Sequence, residues 1–351
     1  MDLEGIARKA GVSRSTVSRI INNSPNVSDR TRQRVLSIIE QENFHPNTAA
    51  RALVKRRTDI IGVVIPTSAN VFLSDNNYHP MILAGLGEAI RQLDYAMLMW
   101  LGEVTHDDQH LMHKISNPHL TDGLIFVSLT NDHPLYAKLS RLQIPFVMVD
   151  RPFADLDHTS YVSIDNVRAA EVATEHLIRL GRRRIAHITG TMTITDAHDR
   201  LAGYKNALRA AGLPIDYHLI VEGQFSYESG YHGMKSLLPH KPDALFAASD
   251  TVAIGALQAA QEAGLRVPDD LSIIGFDDVD VASQATPSLT TIRQPIRDKG
   301  KVAAHLLADL INERIGTPQH ILLPTELVVR QSCGGATSKV KGGDAQFSTI
   351  G

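Results

Sequence analysis

From residue 60 to residue 276 the chain keeps repeating one pattern: a short apolar run, a turn, then a stretch with helical periodicity. The runs fall at 60–65, 96–101, 123–129, 145–149, 161–164, 185–189, 244–248 and 272–276. Helical spacing of apolar residues occupies 80–93, 134–142, 166–180, 198–211, 226–237, 251–263 and 295–313. Apolar runs this short, bounded by turn residues, read as strands. Strands that alternate with helices form parallel sheets covered on both faces, which is α/β architecture. Two sets of such units imply two lobes, with ligands bound outside the carboxyl ends of the strands. The methionine and tryptophan stripe at 97–100 reads as a buried strand.

Polar residues gather at those strand ends. Asp150 and Arg151 follow one run, Ser249 and Asp250 another, and Asp277 with Asp278 a third. Arg200 opens a helix, and Phe225 lies in a loop after Val221-Glu222-Gly223. Carboxylates and arginines hydrogen-bond vicinal hydroxyls bidentately, and an aromatic ring stacks on the apolar face of a sugar. Each acid taken alone is equally readable as a cap for the helix after it, Asp250 above all.

The first 22 residues have a different character. Leu3, Ile6 and Ala7 recur at helical spacing, and Gly11 then supplies a left-handed residue past a helix end. Ser13 is placed to accept from the first free amides of a second helix, whose inner face holds Val17, Ile20 and Ile21. Arg14, Ser15, Ser18, Arg19 and Asn22 are left to point outward, a set rich in hydrogen-bond donors. This layout is a helix-turn-helix, whose second helix enters the DNA major groove, or else a plain helical hairpin with a solvated face. A third helix follows, capped by Ser28, with Val35, Leu36, Ile38 and Ile39 as its apolar residues. Charge favours the DNA reading. Residues 1–59 carry eleven Lys and Arg against six Asp and Glu, whereas the remainder carries 24 against 32. A basic head on an acidic body is the electrostatic footprint of a nucleic-acid reader.

The string Ile6-Ala-x-x-Ala-Gly-Val-Ser-x-x-Thr-Val-Ser-Arg-x-x-Asn22, then Val27-Ser28 and Pro46-Asn47, resembles the headpiece of the lac repressor (LacI/GalR) family. The resemblance continues in Arg200-x-x-Gly-Tyr204, Ala248-Ser-Asp-x-x-Ala-Ile-Gly255, Ile274-Gly-Phe-Asp-Asp278 and Pro287-x-Leu-Thr-Thr-Ile-Arg293. It implies a small all-α head on a two-lobed α/β body like the periplasmic binding proteins. By the resemblance, Arg14 and Ser15 choose the operator and Arg19 reads a guanine, while Leu3, Asn22 and Asn26 contact bases or phosphates. Residues 47–54 become a hinge helix in the minor groove, with Leu53 as the wedge and Asn47 and Ala50 beside it. Asp150, Arg200, Phe225, Asp250 and Asp277 become effector-cleft positions, with Ser128 and Ser249 nearby and Phe72 at an aromatic position. The stretch from Asn70 to Pro80 departs from the family pattern in being longer and more polar.

The expected domains are a head at 1–46, a hinge and linker at 47–58 and an effector-binding body at 59–333. Lobe one takes about 59–159 and 291–320, lobe two about 160–290 and 321–333, with crossings near 158–161, 288–292 and 320. Residues 334–351 read as a disordered tail without leucine heptads. A homodimer on a pseudo-palindromic operator is therefore expected, with a carbohydrate as effector, no cofactor and no catalysis.

A single cysteine, Cys333, excludes an internal disulfide and agrees with a reducing compartment. With no membrane-length apolar run and no secretory signal, the expected location is the cytoplasm. His106, His110 and His113 share a helix face, but a solvated helix turn explains them better than a metal site. A sugar carrier for a transporter would share the body but not the basic head. A glycosidase would need a carboxylate pair at set separation, which sequence does not reveal.

Overall fold

The computed structural model describes residues 2–21, 24–44, 57–65, 77–102, 114–115, 117, 119–130, 144–154 and 156–335. Met1–Asp59 form one compact unit and Ile60–Gly351 a second.

The head consists of α1 (Leu3–Ala10), α2 (Arg14–Ile21) and α3 (Asp29–Gln41). Asp2 caps α1 by accepting from the Gly5 amide at 2.8 Å. Gly11 then takes φ 62°, a left-handed value that costs glycine little, and its N–H closes the helix end. Ser13 accepts from the Thr16 amide at 3.2 Å, the N-cap contact read from the sequence. Ile6, Ala7, Ala10, Val17, Ile20 and Val35 form the buried core. Ser28 is the N-cap residue of α3, as expected, but its hydroxyl pairs with that of Thr31 at 2.9 Å and makes no cap bond to backbone. One expectation fails here. Leu36 is 46% exposed, because Val35 alone of that pair faces α1 and α2.

The body holds two six-stranded sheets. The first, in spatial order, is β2 (Ala96–Leu101), β1 (Ile60–Ile65), β3 (Gly123–Val127), β4 (Phe146–Val149), β5 (Ser160–Ile164) and β11 (His320–Leu323). The second is β7 (Ile220–Val221), β6 (Ile185–Ile188), β8 (Ala244–Ala247), β9 (Ser272–Asp277), β10 (Thr290–Arg293) and β12 (Glu326–Val328). Both follow the doubly wound order 2-1-3-4-5 plus one late strand. Every pairing is parallel except β10 with β12. The chain is thus a small helical head joined to an α/β body of two lobes.

The polypeptide leaves the first sheet after Ile164, returns after Arg293, and crosses finally between Leu323 and Glu326. These crossings come a few residues later than expected, since β5, β10 and β11 each complete their sheet before the chain departs. The apolar runs of the sequence mark neither β7 nor β10, β11 and β12, which are two to four residues long, and β10 is half threonine. Strand β2 forms, but Met97 and Met99 are each 41% exposed, not buried. The winding order makes β2 an edge strand, and an edge is covered on fewer sides.

Of the helices, α4 (Tyr78–Gln92) and α10 (Ile296–Ile311) lie against the first sheet. In the second lobe α5 (Asn166–Arg179) pairs with α6 (Thr195–Ala210), and α7 (Tyr227–Leu237) with α8 (Asp250–Glu262). A short α9 (Asp280–Gln284) follows β9. The expected helix at 134–142 lies outside the described residues. The α4–α10 crossing relies on glycine. A Cβ on Gly85 would lie 1.9 Å from the Arg297 carbonyl oxygen, and one on Gly300 would lie 2.4 Å from that of Ile82.

Gly85→Ala must push the two helices apart and should destabilise the body by roughly 1–3 kcal/mol, the usual cost of overpacking. Chemical denaturation of the full chain checks this; an unchanged midpoint would mean the crossing tolerates the methyl group.

Candidate functional site

In the head, the face of α2 opposite the core presents Arg14, Ser15 and Arg19, all exposed. Neither arginine donates to another described residue, whereas Ser15 shares a 2.8 Å hydrogen bond with Ser13. Asn26 is exposed in the turn before α3. Leu3 packs against the head core, so its reach outward is partial. Asn22, Asn47, Ala50 and Leu53 lie outside the described residues, as does Phe72. The same holds for His106, His110 and His113; among the described residues no cluster suits a metal ion.

In the body, the carboxyl ends of the strands meet in a buried polar chain. The close α4–α10 crossing sets Tyr78 at the start of one helix beside Lys299 in the first turn of the other. Lys299, with no exposed surface, donates to the Tyr78 hydroxyl at 2.8 Å, to Gln294 Oε1 at 3.2 Å and to Asp150 Oδ1. Tyr78 in turn donates to Asp150, with both carboxylate oxygens 2.9 Å away. Gln294 sits on the second crossing and donates through Nε2 to Asp277 Oδ1 at 2.6 Å. Arg200, on α6, closes the chain. Its guanidinium donates to Asn166 Oδ1 at 2.9 Å and the Ala248 carbonyl at 2.6 Å, and lies 3.9 Å from Asp277 and 3.6 Å from Asp196. It also lies 3.6 Å from the Phe276 ring centre and 5.7 Å from that of Phe225. The Phe225 ring packs so tightly on Gly190 that a Cβ there would fall 2.1 Å away. Residues flanking Phe225 line an open groove of about 600 Å³ that also includes Thr191, Ser229 and His232.

At the rim, Arg151 grips Asp199 bidentately, at 2.7 Å and 3.1 Å, tying the loop after β4 to α6. Phe153 meets His198 edge-on beside it, with ring centres 5.8 Å apart. Backbone strain marks the same strand ends: Ser128, Asp150, Asp277 and Asp278 take φ of 54°, 78°, 117° and 59°. Left-handed non-glycine residues cluster where the surrounding structure holds them for function.

Burial dominates the acids. It pushes Asp196 up to about 6, helped by Asp150, and Asp277 up to about 6 despite Arg200 and Gln294. Burial and Asp150 also push the Tyr78 phenol well above its usual range, so it stays a neutral donor.

The structure brings together Asp150, Arg200, Phe225 and Asp277 of the residues marked in the sequence, with Arg151 at the rim. Two others serve the framework. Ser249 is the N-cap of α8, accepting from Val252 at 3.2 Å. Asp250 accepts from the Thr291 hydroxyl at 2.6 Å and the Val279 amide at 3.0 Å, pinning α8 to β9 and β10. Ser128 is half-buried at the end of β3. Sequence reasoning missed Tyr78, Asn166, Asp196, Gln294 and Lys299. The signal for Lys299 was present, since it occupies the apolar stripe of α10 between Ile296 and Ala303. Asp196 was missed because α6 begins three residues before the expected start at 198.

Residues 2–47 match the family described as bacterial regulatory proteins, lacI family. Residues 174–333 match a periplasmic binding protein-like domain. Over 333 residues the chain is 38% identical to the HTH-type transcriptional regulator CelR of Thermobifida fusca, spanning 94% of this chain and 97% of that one. The structure of a transcriptional regulator CelR–cellobiose complex is similar with a TM-score of 0.74 at 36% identity, covering 95% of this chain and 99% of that one. The lac repressor dimer bound to operator and the anti-inducer ONPF gives a TM-score of 0.83 at 27% identity, again covering 95% and 99%. Among the described residues no helix is long and apolar enough to cross a membrane.

Lys299→Met leaves the Asp150 carboxylate buried without its cation and should cost roughly 3–5 kcal/mol, most of it recovered when Asp150→Asn is added. Equal losses in single and double variants would show that the pair is not the stabilising unit. A second prediction concerns pH. Asp196 titrates at an ordinary 3.8 unfolded and near 6 folded, so the folded state holds the proton more tightly between those values. Its contribution to stability is therefore greatest below pH 4 and is lost as pH rises through 6. Asp196→Asn should match the wild type near pH 4 and exceed it by on the order of 3 kcal/mol above pH 6; denaturation at both pH values reads the difference.

Proposed function

The chain belongs to the lacI family of bacterial regulatory proteins, and from that membership we propose that it is a transcriptional repressor whose operator affinity is set by a carbohydrate effector held between its two lobes. The carrying observation is the buried polar chain from Tyr78 to Arg200, which draws residues of both lobes to one set of strand ends. Arg200, Asn166 and Asp277 offer the mixed donors and acceptors that hydroxyls need, and Phe225 offers a stacking face. The relative solved with cellobiose supports a sugar as effector.

On DNA, α2 lies in the major groove. Arg19 pairs bidentately with guanine O6 and N7, and Arg14 and Ser15 set the preference at neighbouring bases. Asn22, Asn26 and Leu3 add contacts to bases or phosphates. Residues 47–58 form the hinge, where Leu53 wedges into the minor groove with Asn47 and Ala50 alongside. A homodimer sets two heads on the two halves of a pseudo-palindromic operator, in the cytoplasm where that DNA is. Effector binding favours one arrangement of the lobes over another, and the hinges are spaced accordingly. No catalytic step enters this reading. Asp150 is already engaged by Tyr78 and Lys299, and Asp250 by Thr291 and Val279.

The test begins with an operator selected from random duplexes by the full chain. Arg19→Ala should lose roughly 1–3 kcal/mol at one base-pair position and relax preference there. Leu53→Ala should weaken specific binding far more than non-specific binding. In a sugar panel, Phe225→Ala should raise the half-maximal effector concentration about tenfold, the scale of one aromatic contact. An unchanged base preference in Arg19→Ala, or no sugar that alters operator affinity, would overturn the reading.

A further inference from the structure

Two atoms of the cleft have no partner among the described residues: Asn166 Nδ2 and Asp196 Oδ1. Both side chains are nine-tenths buried or more, at 1% and 4% exposure. Both adjoin Arg200. Arg200 Nε donates to Asn166 Oδ1, which fixes the amide orientation and leaves Nδ2 as the donor on the other side. Arg200 Nη2 lies 3.6 Å from Asp196 Oδ2, beyond a good hydrogen bond. Buried polar groups without partners are rare in folded proteins and call for an explanation.

The charge count narrows that explanation. Asp196 and Asp277 each feel the Asp150 carboxylate and the same two cations, Lys299 and Arg200, while Asp199, which also acts on Asp196, is taken up by Arg151. Lys299 is committed to Asp150, Tyr78 and Gln294. Arg200 is committed to Asn166 and the Ala248 carbonyl, and stands at 3.6 Å and 3.9 Å from the other two acids. Asp196 is therefore a buried carboxylate short of both a hydrogen-bond donor and a full counter-charge. A neutral hydroxyl supplies the first; an ammonium supplies both, and buried charges are stable when they are paired as well as hydrogen-bonded.

We propose that the effector presents a protonated amine to Asp196 beside an oxygen that accepts from Asn166, which makes it an amino sugar or amino polyol. This rests on the cleft being the effector site. Burial and Asp150 hold the Asp196 carboxyl high, so the site gains more from a cation than an exposed carboxylate would. The Phe225 ring beside Arg200 supplies the stacking face for the ring carbons.

Calorimetric titration of the full chain at pH 7.5 with glucosamine, galactosamine and mannosamine, each against its neutral parent and its N-acetyl form, tests the proposal. At least one amine should bind ten or more times tighter than both uncharged forms. In Asp196→Asn that preference should vanish while the neutral parent still binds. If sugars bind but no amine is preferred to its neutral parent, the proposal is overturned and the carbohydrate-effector reading stands. Preference for the amine retained in Asp196→Asn overturns it too. If no sugar binds in any form, both readings fall. Should Asp196→Asn not fold, the wild-type comparison of amine with parent decides alone.

Discussion

The body depends on a lysine ammonium with no access to water. Burying such a charge is expensive unless every donor is used and a carboxylate stands opposite. Lys299 meets both conditions through Asp150, Tyr78 and Gln294. Each partner comes from a different part of the chain: the end of β4, the start of α4 and the second crossing. The pair therefore fixes more than itself. It sets the depth at which α10 sits on the first sheet, and through Gln294 and Asp277 it reaches the second sheet as well. The glycines at 85 and 300 are the steric counterpart, since without them the helices would stand too far apart for Tyr78 to reach.

The fold was legible wherever one physical signal dominated. Strands such as Ile60–Ile65 are buried on both faces, so their sequence is almost wholly apolar and cannot be mistaken for a helix of useful length. Capping chemistry at Gly11 and Ser13 is local and was equally readable. Burial at an edge was not. Met97 and Met99 carry the same apolar signal as a central strand, and only the winding order reveals that β2 lies at the margin. Leu36 fails for a similar reason: helical periodicity names an apolar face but not which residue at its border is covered.

The site was half legible, and the division is physical. Asp150 and Asp277 adjoin strand ends, where a polar residue after an apolar run stands out, and Arg200 was marked by its place at the start of the expected helix. Ser249 and Asp250 carry the same signal, yet their side chains hold α8 in place, because one local pattern serves both cap and ligand. Tyr78, Gln294 and Lys299 were invisible as a group, since nothing in sequence brings together positions more than 200 residues apart. Lys299 alone left a trace, a charge on an apolar helical stripe.

The two unpartnered atoms of the cleft give the regulatory idea an energetic scale. A buried polar group left unsatisfied costs roughly 1–3 kcal/mol, and more if charged. A ligand that satisfies both Asn166 and Asp196 therefore recovers several kcal/mol on the second lobe, which carries both, and it shifts the lobes only so far as it also meets a group of the first lobe such as Asp150. Allosteric coupling free energies are typically about 1–3 kcal/mol. One or two hydrogen bonds made across the cleft, available in only one arrangement of the lobes, are thus enough to move a two-state equilibrium. The Arg151–Asp199 pair, by contrast, lies at the rim, partly exposed to water, and a surface ion pair contributes about 0–1 kcal/mol. The rim steadies the cleft, but the larger interaction energy lies with the buried acids and the amide, and a ligand that reaches from them to the first lobe is what shifts the equilibrium.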